Sequence, residues 1–589
     1  MSTRTANRTC IPEHRLLWLL VPCSLLVAGA AGAATCRVST SGSGNGSSWA
    51  QAASLQNALN NNACSEVWVK QGTYKPGSAR TDAFLVNPGV KVYGGFAGNE
   101  TVRSQRNPAS RPTILSGDIG APNNAGDNSY HVVVMDGTTG TKVDGNTVLD
   151  GFTVTRGNAD GDVNLYQAFG GGLFCNAEGA GSQCSPTLNQ LTFNENQAGW
   201  GAAMFANGLG GVSNPDMSNL VFSNNTAVNY GGGMYCDGSL GGRCSPTLSN
   251  VSFTANTAGS SGGAMMNDGA QGLSSPSLSN VTFNGNTATT YHGGAMYNNG
   301  YQGNSSPVLS RVTFEGNHAG NLGGAMYNEG NEGLSSPVMT DVVFSNNDAA
   351  LAGAMHNNGN AGVSSPVMNR VTFSGNTVTA SAGAIYNDGR SNGQASPIIS
   401  NATFVNNSNP NEFGGAIYSY AGNGGTASAQ LSNVTFTGNG AKLGGALYND
   451  GRSSGNVHPV LRNVILWADT AASSANGPEI YNDAGAGVSI TSSVVQGGCA
   501  SIIGASCLSG NLAGNPKLGA LADNGGFSPT LMPGSGSSAI DAGNAATCAN
   551  SPVNGLDQRG AVRPFGSGCD IGSVEAGAVI DSIFANGFE

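Results

Sequence analysis

The feature that most constrains this chain is an eight-residue string that keeps returning: GGAMMNDG at residues 262–269, GGAMYNNG at 293–300 and GGAMYNEG at 323–330. A second string, FxxN, returns with it, its phenylalanines at Phe193, Phe222, Phe253, Phe283, Phe314, Phe344, Phe373, Phe404 and Phe436, spaced 29 to 32 residues apart. A period of that size means stacked units, none of which buries its apolar side alone. Each unit holds strand-like pieces such as SPVLS (306–310), VTF (312–314) and GGAMYN (323–328), split by Asn/Gly-rich turns and without a helical period. The expectation is an all-β parallel coil with three short strands per ~30-residue rung and rungs ~4.8 Å apart, so that equivalent residues stack in columns.

Those columns assign sides. The fourth position of the opening motif (Leu173, Met204, Met234, Met265, Met296, Met326, Met355, Ile385, Ile417, Leu447) is always aliphatic and reads as core. By strand alternation, the third position (Gly172, Ala203, Gly233, Ala264, Ala295) and the fifth face the other way. The fifth reads Phe174, Phe205, Tyr235, Met266, Tyr297, Tyr327, His356, Tyr386, Tyr418, Tyr448, which puts an aromatic stripe on the outside. The FxxN asparagines, Asn196 through Asn439, are expected at a corner, where Asn accepts the left-handed conformation and stacked amides bond along the ladder. A second corner column runs Gln190, Asn219, Asn250, Asn280, Arg311, Asp341, Arg370, Asn401, Asn433, Asn463, and implies a surface salt-bridge ladder at Arg311–Asp341–Arg370.

The start of the chain reads as an export leader over residues 1–34: a basic stretch through Arg15, an apolar run from Leu16 to Ala28, and small residues for a cut near Ala33 or Ala34. Removing it, with Arg4, Arg8, Arg15 and Glu13, leaves 20 basic against 33 acidic residues, a net charge of −13. That balance argues against nucleic acid and anionic membranes as partners. No further stretch reads as a transmembrane segment. Ten cysteines follow the leader as sequence neighbours: Cys36 with Cys64, Cys175 with Cys184, Cys236 with Cys244, Cys499 with Cys507, and Cys548 with Cys569. In an exported chain they are expected to form disulfides.

Residues 35–150 are expected to form an N-terminal cap and irregular first rungs. The cap is a short helix within 48–62, started by a capping box at Ser48 and Gln51 and showing Ala52, Leu55, Ala58 and Leu59 on its apolar face. Regular rungs span 151–498, a C-terminal cap region 499–578, and a tail 579–589 that reads as a sorting signal or a disordered end.

The paired GGA[MIL] and FxxN signatures over about residues 150–465 resemble the repeats of polymorphic outer membrane proteins, surface adhesins with a right-handed parallel β-helix passenger. WVKQGTY, VYGGFAGNE, GSSAIDAGN and LDQRGAVRPFGSGCDIGSVE resemble the ends of secreted bacterial β-helix proteins of the choice-of-anchor Q type. The resemblance implies a pectin-lyase-like solenoid and a secreted or cell-surface location. It departs from the adhesins in leaving too little chain after residue 465 for a membrane barrel of autotransporter size.

Three functional readings follow. As an adhesin-like scaffold, the chain would bind an extracellular glycan or a host or cell-surface protein along the stripe of Tyr235, Tyr297, Tyr327, His356, Tyr386, Tyr418 and Tyr448. In a purely structural reading the same rings stack on each other under the adjoining loops. As a polysaccharide lyase or glycoside hydrolase, it would need carboxylates or a base gathered on neighbouring rungs. The regular array lacks them, and the nearest candidates are Asp118, Asp136, Asp144, Asp150 and Arg156. Asn158, Asp160, Asp162 and Asn164 form an alternating acidic loop for which Ca²⁺ is the candidate cation, though without the spacing of an EF-hand; no other cofactor is implied.

Overall fold

The computed structural model describes residues 34–580 apart from Thr139, so the expected leader up to Ala33 and the last nine residues of the expected tail lie outside the described residues. The chain winds into a parallel β-helix of about 15 turns of about 31 residues. One rung shows the scheme: Val308–Glu315, then His318–Leu322, then Met326–Glu329, then a loop into Val338–Ser345 of the next rung. Successive rungs pair in parallel and in register, with Leu309 beside Met339, Phe314 beside Phe344 and Met326 beside Met355.

Three strands per rung are present, but they divide differently from the expected pieces. SPVLS and VTF belong to one long strand, bent at Arg311, whose φ is 56°. The unanticipated strand is the middle one, reduced to Thr287–Ala288 in one rung, too short and too small in its side chains to show a period. The left-handed residues within and just after the long strand are the second corner column, including Asn219 (59°), Asp341 (57°) and Arg370 (57°), and the residue just before each FxxN asparagine, such as Glu195 (55°) and Ala255 (54°). The FxxN asparagines themselves are interior.

Inside the coil the Met204-to-Leu447 column is buried as expected, and the FxxN rings form a second column, Phe283 and Phe314 lying 4.8 Å apart at 3° between planes. Burying each such ring stabilises the coil by about 1.5–3 kcal/mol. The third-position residues do not share the outward side of the aromatics. Ala203, Ala264 and Ala295 lie in the main core, because the strand begins one residue later and the third position still belongs to the turn. The glycine before it is fixed by space: a Cβ on Gly324 would sit 2.2 Å from the Gly353 carbonyl of the next rung.

The FxxN amides form a continuous buried relay. The Asn286 Nδ2 donates to Asn317 Oδ1 at 2.9 Å and to the Phe253 carbonyl at 3.0 Å, while the Asn286 backbone N–H donates to the same Asn317 oxygen at 3.0 Å. The pattern runs from Asn196 to Asn439, which donates to Asp469 Oδ1 at 2.8 Å. Each buried amide is satisfied, which is what a dry interior requires. A second inward amide ladder, from Asn267 through Asn298, Asn328 and Asn357 to Asn387, lies on the Met-bearing sheet. Cys236 stands in that column one rung earlier, bridged to Cys244. The other four neighbouring cysteine pairs are bridged as well.

Both ends differ from the expected caps. The N-terminal helix is two elements: a 3₁₀ turn, Trp49–Gln51, capped by Ser48, and an α-helix, Leu55–Leu59, capped by Ser54. Leu55, Ala58 and Leu59 of the latter join the core. At the other end, rungs continue to Ala505–Cys507. The following chain, from about residue 514, runs back over the outer face of the long-strand sheet rather than across the end. The Pro529 carbonyl accepts from Thr372 Oγ1 at 2.8 Å, Gln558 bonds Thr372 and Thr403 at 2.7 and 2.6 Å, and the Ser573 N–H donates to Thr435 Oγ1 at 3.0 Å. Ala539 and Ile571 pack on Ile465 and Val494. We call this segment the strap. The GSSAIDAGN and LDQRGAVRPF stretches lie within it.

Beneath the strap, Arg370 grips Asp341 with two bonds at 2.6 and 2.9 Å. Arg311 does not complete the expected ladder: it donates to Asn280 Oδ1 at 3.1 Å and lies 5.3 Å from the Phe527 ring of the strap.

Candidate functional site

The outer face of the Met-bearing sheet carries the expected aromatic column. Met326–Glu329 points Met326 and Asn328 inward, so Tyr327 and Glu329 face outward, and register stacks each on its equivalent. The column is not an open stripe. Tyr235, Tyr327, His356, Tyr418 and Tyr448 are buried, and Tyr297 and Tyr386 half-buried.

Two contacts close it. The rings stack on one another, as in Tyr327–His356 at 5.1 Å and Tyr386–Tyr418 at 4.7 Å. Residues just ahead of the double glycine then lie over them, His292 on Tyr327 at 4.5 Å and Phe413 on Tyr448 at 4.6 Å. Burial pushes the His356 imidazole down to about 3, so it serves here as a neutral ring.

The seventh motif position adds an outer column of acids and amides: Asp237, Asp268, Asn299, Glu329, Asn358, Asp388, Asp450 and Asp483. The column was legible two residues beyond each tyrosine, the period of a strand. The ring hydroxyls are spent on it: Tyr235 donates to Asp268 at 2.7 Å, Tyr418 to Asp450 at 3.0 Å and Tyr448 to Asp483 at 2.8 Å. Burial pushes Asp237 up to about 6, with the Asp268 carboxylate on the adjoining rung acting in the same direction. Asp388 and Asp450 are instead paired with Arg390 and Arg452 on the loops that follow.

The residues singled out in the irregular rungs do not converge. Asp118 and Arg156 pair at 2.8 Å, and Arg156 also reaches Glu195 at 3.4 Å. Burial opposes ionisation of Asp118, but the Asn123 N–H and the Arg156 guanidinium hold its carboxyl below the usual range. Asp150 lies elsewhere, bound to Arg106 at 2.7 Å. Asp144 closes its own turn onto the Asn146 N–H. Of the acidic loop, Asp160 pairs with Arg80 at 2.5 Å, and Asp162 caps the short turn Val163–Leu165 through the Asn164 N–H at 2.9 Å. Asn158 donates to Asp160 at 3.0 Å, and Asn164 also donates its side-chain amide to Asp162. Among the described residues, no group of three or more His, Cys, Asp or Glu side chains converges as a metal centre would require.

Asp136 is placed differently. It sits on the outer face beside Asn176, at the N-terminal end of the aromatic column, where Val134 replaces a ring next to Phe174. The column therefore ends on its own sheet at Phe174, itself a buried ring, and an open hollow of about 650 Å³ lies beside it, lined by His131, Asp136, Tyr166, Phe174, Asn176 and Glu178 among others. Tyr166 and His131 lie against Phe174 at 5.6 and 5.4 Å. Tyr166 is held in the left-handed region at φ 57°, at the end of the Val163–Leu165 turn, and donates to Glu178 Oε2 at 2.5 Å. Sequence reasoning missed Tyr166 and Glu178, which lie outside the repeat's columns.

The description of the Chlamydia polymorphic membrane protein repeat matches residues 370–388 and 433–450, a narrower stretch than the expected 150–465. No curated protein sequence matches the chain. Among solved structures, the chain is similar to the pectate lyase Pel9A (13% identity, 93% of this chain and 98% of that one, TM-score 0.26). It is also similar to the catalytic domain of a GH87 α-1,3-glucanase in complex with nigerose (12%, 77% and 68%, 0.37) and to XylC with xylose (9%, 92% and 99%, 0.35). At these values the parallel β-helix is read from the chain's own strand pairing, and no activity is carried across. Among the described residues, no helix is long and apolar enough to cross a membrane.

Proposed function

We propose that the chain is an extracytoplasmic, adhesin-like β-helix scaffold that binds a glycan at the N-terminal end of its aromatic ladder. The observation that carries this reading is the hollow at the end of the ladder: Phe174 and the rings below it are packed into the flank, while Tyr166, laid over Phe174, is 36% exposed beside polar side chains. Flat apolar rings bordered by a few polar groups are what a sugar ring requires, with its C–H face on the ring and its hydroxyls at the edge. The five disulfides fit an oxidising compartment. For Tyr297, Tyr327 and Tyr386 the packing favours the structural role weighed from sequence.

The test is retention on a glycan array of the wild-type protein and of Tyr166→Ala, a residue whose ring is 36% exposed. Retention is expected to fall at least tenfold in the variant with the melting temperature unchanged. Full retention by the variant, or none by the wild type, would remove the reading.

A further inference from the structure

The charge of the hollow goes further and names a class of sugar; the inference rests on the glycan-binding reading above. Asp136 and Glu178 both line it, and among the described residues no lysine or arginine does. Among the described residues, each carboxylate keeps one oxygen without a partner: Asp136 uses Oδ1 for the Thr138 N–H and hydroxyl at 3.0 and 2.6 Å. Glu178 uses Oε2 for the Tyr166 hydroxyl at 2.5 Å and the Asn207 amide at 3.5 Å. Of the other titratable groups in the lining, Tyr166 is held as a neutral phenol by its bond to Glu178, and His131 is bonded through Nδ1 to the Gly170 carbonyl at 3.1 Å, where burial lowers its basicity, so neither brings a compensating charge near neutral pH.

A site with two anionic groups, the exposed Tyr166 ring and, among the described residues, no cation of its own suits a large, diffuse positive charge. Ring faces attract such a charge through their quadrupole, and carboxylates at the edge bond its N–H groups. A bare divalent metal would find only these two carboxylates, since no group of three or more His, Cys, Asp or Glu side chains converges among the described residues. We propose that the hollow binds an amino sugar, its ring lying against the exposed side of Tyr166 and its ammonium group held by Asp136 and Glu178.

The test uses the full chain after export and isothermal titration at low salt, just below neutral pH, with two probes of equal length: a glucosamine oligomer with free amines and its N-acetylated counterpart. The free-amine oligomer is expected to bind at least tenfold more tightly, and the double variant Asp136→Asn/Glu178→Gln to lose that preference. Equal binding of the two oligomers by the wild type would overturn the ammonium assignment while leaving glycan binding in place. Binding of neither, together with a silent glycan array, would overturn both. The comparison of oligomers needs only the wild type, so it decides the matter even if the double variant fails to fold.

Discussion

The hexapeptide LSNVTF occurs twice, at residues 278–283 and 431–436, in two rungs of the same long-strand sheet. In both copies Leu, Val and Phe point inward and are buried. The other three residues part company. Ser279, Asn280 and Thr282 are exposed, whereas Ser432, Asn433 and Thr435 are buried at 5%, 0% and 1% exposure. The strap makes the difference: Asn433 donates to the Asp570 carbonyl at 3.2 Å and Thr435 accepts from Ser573. Alternation along a strand decides which side a residue faces, and a segment more than a hundred residues away decides whether that side is wet.

The largest way to break the contrast is to end the chain at residue 513. The strapped rungs would then expose Ile465 and Val494 and lose the partners of Asn433, Asn463 and Thr435. A cost of ~5 kcal/mol is expected from the lost apolar burial and hydrogen bonds together. Amide hydrogen exchange should accelerate over about residues 338–495 and stay unchanged over 216–284. Equal acceleration in both halves would mean that the strap stabilises the coil as a whole rather than the rungs beneath it.

A single lysine sharpens the same point. Thr435→Lys buries a charge under the strap, or expels the strap, and is expected to destabilise by about 3 kcal/mol. Thr282→Lys, within the identical hexapeptide, should stay within about 0.5 kcal/mol. Chemical denaturation of the two variants side by side reads the difference.

The smallest effect is one of pH. At the strapped end of the amide relay, Asp469 and Glu479 lie together, both buried, with Asp469 Oδ2 and Glu479 Oε2 lacking partners. Burial raises both carboxyls well above their ordinary range, and the charge of Asp469 raises Glu479 further. The folded pair therefore holds protons that the unfolded chain releases. The stability it contributes is complete below the ordinary carboxylate range and is lost as pH rises through the raised folded values. Melting temperature should fall by a few degrees between about pH 5 and pH 9, and Glu479→Gln should flatten that slope. A wild-type slope that survives the substitution would place the titration elsewhere.

The LSNVTF pair also marks how far the sequence can be read. The coil, its period, the Met column and the five cysteine pairs follow from local spacing, because each depends on residues one rung apart or on neighbours in the chain. The middle strand escaped because Thr287–Ala288 is too short to hold a pattern. The aromatic column was placed on the outer side, but the sequence left the open and the covered readings side by side, since the cover comes from His292 and Phe413, whose own column varies from rung to rung. The hollow was half legible. Asp136 stood among the expected carboxylates, while Tyr166 and Glu178 reach it from turns that no period governs.

The amide relay has a direction. Every link hands its hydrogen toward the C-terminus, beginning where Gly157 N–H meets Asn196 Oδ1 and ending on an acid that has no amide to pass on. A relay built of identical links closes equally well with eight or with twelve, so whole rungs can be spliced in or out between the same two terminals without stranding a polar atom. Length in this molecule is thus an adjustable quantity, and the reach of whatever it presents can change by ~4.8 Å per copy while the chemistry of its ends stays constant.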